Sequence, residues 1–371
     1  IPRIVIALLA GNTLIFNPAE QTLLLGIKIA EIFEKLNLPK GVFQMINGDG
    51  ETGKLLVEQD ISHVIFTGST EVGKKIAENV SKRFISCSLE LGGKDGAIVC
   101  DDVDIEYTTN GIAYGSFMNS GQTCTSIERI YVLESIYEKF TELFIQKVSK
   151  IRVGDGLNPD VEIGPLVNKE QFEKVIKLIN DAKDKGAKVL YGGKSLENEL
   201  GGYFIEPTVL TDITKEMLIY NEEIFGPVTS IYKVKNEEEA IKLINQSRYG
   251  LGTTIWTKNI KKGELIARKI ESGMAWINDW SVSMLNPEMV WKGIKESGMG
   301  ISHSQFGLME LVHIKSLSID KQSGSRKPWW FPFEKNKLEY FEKSIVFLFS
   351  SSFVKKLKVV FKICKGFLKY H

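Results

Sequence analysis

Apolar positions along the first 90 residues recur with two alternating periods. Residues 1–16, rich in isoleucine, leucine and valine up to Thr13-Leu14-Ile15-Phe16, read as a helix running through Gly11-Asn12 into a buried strand. Asn17-Pro18-Ala19-Glu20 ends that strand, and 23–36 keeps helical spacing until Pro39-Lys40-Gly41 stops it. Val42-Phe43-Gln44-Met45-Ile46 is the next strand, followed by the turn Asn47-Gly48-Asp49-Gly50-Glu51-Thr52-Gly53 and a second helix. His63-Val64-Ile65-Phe66-Thr67 is a third strand, and Gly68-Ser69-Thr70-Glu71-Val72-Gly73 opens a third helix. Strands alternating with helices predict a parallel, doubly wound α/β sheet.

The alternation continues. A strand is expected around 85–89, a helix over 103–122, the strand Arg129-Ile130-Tyr131-Val132-Leu133 and a strongly periodic helix over 134–151. Further on come an amphipathic helix at 172–185, a strand at 188–191, and an apolar pair at 206–210 and 227–231. Helices near 237–246 and 262–270 flank the strand Thr253-Thr254-Ile255-Trp256, and Ala275-Trp276-Ile277-Asn278 is the last strand of the block. There is no internal repeat.

The end of the chain has a different texture. Lys327-Pro328-Trp329-Trp330-Phe331-Pro332-Phe333 is aromatic and broken by proline, and 338–349 is apolar but too short to span a bilayer. From Phe353 onward, helical spacing places Lys355, Lys358, Lys362, Lys365 and Lys369 on one face and Leu357, Val360, Phe361, Cys364, Phe367 and Leu368 on the other. A basic amphipathic helix suits a membrane surface; it equally suits packing on the body or on a neighbouring subunit.

Composition narrows the class. With 371 residues, 25% charged and 43% apolar, the chain is globular and large enough for two or three domains. A net charge of +1 lacks the basic excess of a nucleic-acid footprint. The cysteines Cys87, Cys100, Cys124 and Cys364 show no C-x-x-C spacing and the histidines no ligand pair, which argues against a zinc site or a disulfide framework and for a reducing, cytoplasmic setting. The chain opens on Ile1 with no basic leader, so it reads as a fragment or as a product that has lost its front.

Candidate chemistry centres on Phe117-Met118-Asn119-Ser120-Gly121-Gln122-Thr123-Cys124, where a bend after an apolar run presents a thiol. Neighbouring N–H groups are expected to lower its pKa toward neutrality; the structural alternative is a buried, inert cysteine. Glu90, in Glu90-Leu91-Gly92-Gly93-Lys94, sits at a strand end, where partial burial would suit a general base and full solvation would not. Glu20, Gly48 and Gly68-Ser69 follow consecutive strands, where α/β sheets bind ligands, although neither glycine turn is a G-x-G-x-x-G fingerprint.

Together with Ala10-Gly11-Asn12-Thr13, Pro18-Ala19-Glu20-Gln21-Thr22, Phe66-Thr67-Gly68-Ser69-Thr70, Glu222-Glu223-Ile224-Phe225-Gly226-Pro227 and Gly293-Ile294-Lys295-Glu296-Ser297-Gly298, these stretches resemble the aldehyde dehydrogenase superfamily over about residues 4–320. The glutamate and cysteine, 34 residues apart, are the most specific pair. The resemblance implies a Rossmann-type cofactor domain (1–90, partial), a catalytic thiol domain (91–292), a return segment with an oligomerisation strand (293–326, the strand at 312–319) and an added tail (327–371). It implies that Cys124 attacks an aldehyde, that hydride passes to NAD, and that Glu90 activates the water that hydrolyses the thioester. It further implies cofactor contacts from Asn17, Glu20, Gly48, Gly68, Ser69, Leu91, Glu223 and Phe225, no metal, and a homo-oligomer. Lys94 is left structural.

Three departures stand out. Asn17 replaces the family's usual lysine, which with Glu20 retained favours NAD over NADP. Trp291-Lys292-Gly293 replaces a pair of glycines. The family's first strands and its oxyanion-hole asparagine lie upstream of the region matching Ile1, and losing one such donor costs about 10²–10³ in rate. The rival expectations are an acylating relative, which the presence of Glu90 opposes, and a degenerate homologue acting as a nucleotide-binding or partner subunit.

Overall fold

The structure is a computed structural model, and it describes residues 1–321, 330–331 and 337–367, the side chains of 340 and 361–367 excepted. The expectations for Lys327, Pro328, Trp329, Pro332, Phe333, Leu368 and Lys369, and for the side chains of Phe361, Lys362, Cys364, Lys365 and Phe367, lie outside the described residues. The chain divides into two compact units, Ile1–His313 and Ile314–His371.

The first unit begins with α1 (Pro2–Leu9), β1 (Leu14–Phe16), α2 (Leu23–Glu34), β2 (Phe43–Met45), α3 (Gly50–Val57), β3 (His63–Thr67), α4 (Thr70–Ser81) and β4 (Ser86–Glu90). Strand β1 pairs in parallel with β2, and β3 in parallel with β4. Asp49 and Ser69 cap α3 and α4 through their side-chain oxygens, so each turn feeds a helix that begins cleanly. The strand expected to be buried at 14–16 is not: Ile15 is exposed, and Leu14 and Phe16 are half-buried. Among the described residues its one ladder is with β2, so its apolar side chains have little to pack against.

Next come β5 (Asp95–Val99), α5 (Ile105–Phe117), β6 (Ile127–Leu133), α6 (Tyr137–Val148), α7 (Lys169–Asp184), β7 (Lys188–Tyr191), the short α8 (Glu197–Leu200), β8 (Thr208–Thr211), the short α9 (Leu218–Asn221) and β9 (Val228–Val234). Then follow α10 (Glu237–Asn245), β10 (Tyr249–Gly250), β11 (Thr253–Trp256), α11 (Ile260–Ala267), β12 (Trp276–Ile277), β13 (Ile294–Lys295), β14 (Gly298–Met299) and α12 (Ser304–Met309). A seven-stranded sheet forms in the order β12-β11-β5-β6-β9-β8-β7, parallel throughout except for β7 against β8.

Every residue of β5 and β6 is buried, because helices cover both faces of this sheet. Ala97, Val99, Ile130 and Val132 face Phe117, Phe140 and Phe144 of α5 and α6. Ile98, Tyr131 and Leu133 face Ala240, Ile241 and Ile244 of α10 and Ile266 of α11. Strand β5 lies near the centre of the sheet and is absent from the sequence-based expectation. Its Asp95-Gly96 start continues a glycine-rich loop and hides a run of only three apolar residues, Ala97-Ile98-Val99.

Strand β14 runs antiparallel to β4, returning the chain to the first region beside Glu90. Residues 312–319, expected as a strand that pairs across subunits, form no ladder among the described residues, and Ile314, Leu317 and Ile319 are exposed. In the second unit α13 (Lys337–Phe349) and α14 (Phe353–Phe367) pack on each other as a helical hairpin.

Candidate active site

The chain leaves α5 through one 3-10 turn, Met118–Gly121, in which Asn119 (φ 54°), Ser120 (φ 58°) and Gly121 (φ 69°) are all left-handed. Left-handed backbone costs a non-glycine residue about 1–2 kcal/mol, so the turn must be held from outside. Ser120 donates its hydroxyl to the Gly164 carbonyl at 2.7 Å, and Gln122 Oε1 accepts the Val167 N–H at 2.8 Å. The bend delivers Cys124, half-buried, against Leu251, Met274, Trp276 and Trp291.

Glycines bring three loops into contact here. A Cβ on Gly93 would lie 2.0 Å from the Cys124 carbonyl oxygen, one on Gly121 2.0 Å from the Gly226 carbonyl oxygen, and one on Gly92 2.6 Å from the Glu223 carboxylate. At Gly93 and Gly121 the neighbour is backbone and no side chain fits; at Gly92 it is the movable end of the Glu223 side chain. The glutamate loop, the cysteine turn and the 222–227 loop therefore touch because these positions lack a Cβ.

Glu90 ends β4, 6% exposed, with Oε1 3.0 Å from Arg3 Nη2 of α1. The contact is ionic: neither oxygen of Glu90 has an aligned hydrogen-bond donor. Burial pushes the carboxyl up to about 7, with Arg3 pulling the other way. Arg3 is itself placed by Ser302, whose Oγ accepts from Nε at 3.0 Å. Sequence reasoning missed Arg3, since one arginine in an apolar helix carries no motif.

The thiol departs from expectation. Burial pushes Cys124 up to about 12, and the carboxylates of Asp95, Glu90 and Glu223 add to the rise. At neutral pH this cysteine is a thiol, and the lowered pKa expected from nearby N–H groups is overridden by burial among acids.

The loop after α9 is fastened by Lys94 of the glutamate motif and by Glu128 and Gln171, which carry no motif of their own. Lys94 Nζ donates to Glu128 Oε2 at 2.7 Å and to the Glu222 carbonyl at 2.8 Å. Glu128 Oε1 accepts the N–H groups of Ile224 (2.8 Å) and Phe225 (3.1 Å), and Gln171 Nε2 donates to the carbonyls of both. Phe225 is held at φ 54°, and Glu223 accepts the Gly93 N–H at 2.9 Å. Burial, then Glu128, raises the Glu223 carboxyl to about 7.

The remaining predicted residues follow the strand ends of the first region. Asn17 and Glu20 lie beyond β1, Gly48 beyond β2, and Gly68 and Ser69 beyond β3 at the start of α4. Leu91 connects this group to the thiol side: its N–H donates to the Ser297 carbonyl at 3.0 Å, and its side chain fills the space over Gly73 of α4. These residues fit a nicotinamide dinucleotide. Asn17 Oδ1 is a buried acceptor without a partner, while Gly68 and Ser69 are exposed at a helix N-terminus suited to phosphate. Lys292, the departure at the later turn, avoids left-handed backbone; its carbonyl lies where a Cβ on Gly273 would meet it at 1.9 Å.

Comparison with known proteins supplies the family. The model described as "Aldehyde dehydrogenase family" matches residues 1–317. Betaine aldehyde dehydrogenase of Mesorhizobium japonicum is 36% identical over 317 residues, covering 85% of this chain and 65% of the relative. Retinaldehyde dehydrogenase 3 of Mus musculus is 38% identical, covering 84% and 61%. Among solved structures, a Mycobacterium tuberculosis aldehyde dehydrogenase complexed with NAD+ superposes with a TM-score of 0.80 at 35% identity, covering 84% of this chain and 64% of that one. The chain thus spans between 61% and 65% of the length of these curated relatives. A family match over the whole region that holds Glu90, Cys124 and Glu223 places this chain in the aldehyde dehydrogenase family.

Proposed function

We propose that this chain carries the thiol chemistry of an NAD-dependent oxidation of an aldehyde to a carboxylic acid, with Cys124 as nucleophile and Glu90 as general base. The observation that supports it is the convergence of the glutamate, cysteine and 222–227 loops at Gly92, Gly93 and Gly121. With its thiol at about 12, Cys124 needs a base to become nucleophilic, and Glu90, at about 7, is half ionised near neutrality. Glu90 takes the thiol proton, and sulfur bonds to the carbonyl carbon to give a thiohemiacetal.

When bound, oxidised NAD supplies the two-electron acceptor for the hydride leaving that carbon. Glu90 first gives up the thiol proton to solvent and then takes one from the attacking water; the thioester breaks, and Cys124 departs as the thiolate, which takes that proton back from Glu90. Aldehyde, NAD+ and water become acid, NADH and a proton. Glu223 and Phe225 hold the nicotinamide side, Gly68 and Ser69 the pyrophosphate, Leu91 the space between, and Asn17, Glu20 and Gly48 the adenosine side. The neutral Asn17 beside Glu20 selects NAD, since nothing there would balance a 2′-phosphate.

A second reading, a nucleotide-binding or partner subunit without activity, draws on the same two groups. Arg3 holds the base in an ion pair and burial holds the thiol protonated. NADH formation at 340 nm with an aldehyde panel separates the readings. Turnover lost in Cys124→Ala with NAD binding retained supports the enzyme; NAD binding without turnover in the unaltered chain supports the subunit. A cytoplasmic homo-oligomer and membrane-surface contact through 353–371 complete the proposal.

A further inference from the structure

The family match ends at residue 317, so the helical hairpin α13–α14 lies outside the matched region. Hairpins of this size normally bury their apolar stripes between the two helices. This one does not. At about 100° per residue, Phe353, Leu357 and Val360 fall within about 60° of one another on α14, and they are 75%, 47% and 37% exposed. Among the described side chains of that helix the buried one is Val359, on a different face. On α13, Leu338, Ile345 and Phe349 fall within about 40° of one another and are exposed, with the exposed Glu342 beside them.

Charge separates the possible occupants. From Phe353 to His371 the chain has six lysines (Lys355, Lys356, Lys358, Lys362, Lys365 and Lys369) and no aspartate or glutamate, although the whole chain carries only +1. Lys355 and Lys358 are exposed on the side of α14 opposite its apolar stripe. A second copy of this segment would bring like charge against like charge. An anionic bilayer satisfies both halves at once: the apolar stripe enters the headgroup boundary and the lysines stay at the charged surface. At 13 and 15 residues, α13 and α14 are shorter than the roughly 20 residues needed to cross a bilayer. Among the described residues no helix is long and apolar enough to span one.

We infer that the α13–α14 hairpin is a peripheral docking surface for anionic phospholipid bilayers, entered by Phe353, Leu357 and Val360 and steered by the lysines of 355–369. The inference rests on the membrane-contact part of the proposal above and specifies its partner. It is independent of the thiol chemistry.

The test is flotation of the full chain with vesicles of phosphatidylcholine alone and with 30% phosphatidylserine added. Binding at least about tenfold stronger to the anionic vesicles, and weakened by salt, is expected. Lys355→Gln with Lys358→Gln should weaken it roughly 25-fold, at about fivefold per lysine. Leu357→Asp with Val360→Asp, both at exposed positions, should abolish it with the unfolding transition unchanged. Equal binding to both vesicle types would overturn the anionic inference and leave membrane contact standing. Binding to neither would overturn both. Loss of self-association in Leu357→Asp/Val360→Asp, measured by light scattering, with no vesicle binding in the parent chain, would assign the surface to a second copy.

Discussion

Strands β5 and β6 form a parallel pair, as do β1 and β2, yet the two pairs live in different surroundings. Every side chain of β5 and β6 is buried, between α5 and α6 on one face and α10 and α11 on the other. Beside β1 and β2, Ile15 of the strand and Leu24, Leu25 and Ile32 of α2 are all exposed. The same alternation of strand and helix underlies both regions. What differs is the number of strands side by side: seven in one sheet, two in the other. A parallel sheet acquires a dry interior only when it is wide enough for helices to close over both faces. The thiol site belongs to the well-covered region, and the residues proposed for the adenosine side of the cofactor belong to the thin one.

The sharpest way to break this contrast is through the site itself. Cys124→Ser should lower aldehyde turnover by about 10⁴-fold or more while leaving unfolding nearly unchanged, as a steady-state assay beside a denaturation curve would show. Wild-type turnover in that variant would move the nucleophile elsewhere. In the covered sheet, Phe140→Ala removes a fully buried ring from the core of α6 and should cost about 3–5 kcal/mol in denaturant unfolding.

Next in size is the effect of pH. Glu90 must be ionised to act as a base, so with its carboxyl at about 7, kcat/KM should fall about tenfold per pH unit below that value and level off above it. Glu90→Gln should flatten the profile at a low rate. The stability linkage has the opposite sense. The folded chain holds this proton more tightly than the unfolded one, so the Glu90 contribution favours folding at acidic pH and is lost as pH rises through the interval from the ordinary carboxyl range to about 7.

The smallest effect is expected in the thin region. Leu24→Ala and Ile15→Ala, at exposed positions, should each change stability by no more than about 0.5 kcal/mol. A loss of 2 kcal/mol or more would mean that this surface is covered in solution, and the contrast with β5 and β6 would shrink accordingly.

Much of the thiol site was legible because its parts carry local signatures. Glu90, Cys124 and the 222–227 loop lie in glycine-marked segments, and Asn119 and Gly121 in the bend before Cys124 are residue types that visit left-handed backbone, whereas Ser120 is held there by its bond to Gly164. Arg3, Glu128 and Gln171 were not legible. Each acts across a long sequence separation, Arg3 on Glu90 and the other two on the backbone of 224–225, and such partners leave no periodic trace. Strand β5 escaped because its opening residues look like a loop. The segment 312–319 has strand propensity but no neighbouring edge among the described residues, and a ladder across subunits would need a partner's edge.

By itself the sequence determined the alternation of strands and helices, the places where glycine permits close approach, and the residue types available for chemistry. Those depend on spacing, backbone freedom and side-chain identity, all of which are local. Tertiary structure decided which strands became dry, which charges met and what proton affinity each acquired. Cys124 shows the division most plainly: its position was readable, but its thiol stands at about 12 because folding buried it among Asp95, Glu90 and Glu223. Burial and Coulomb interaction act through space, and only the fold fixes those distances.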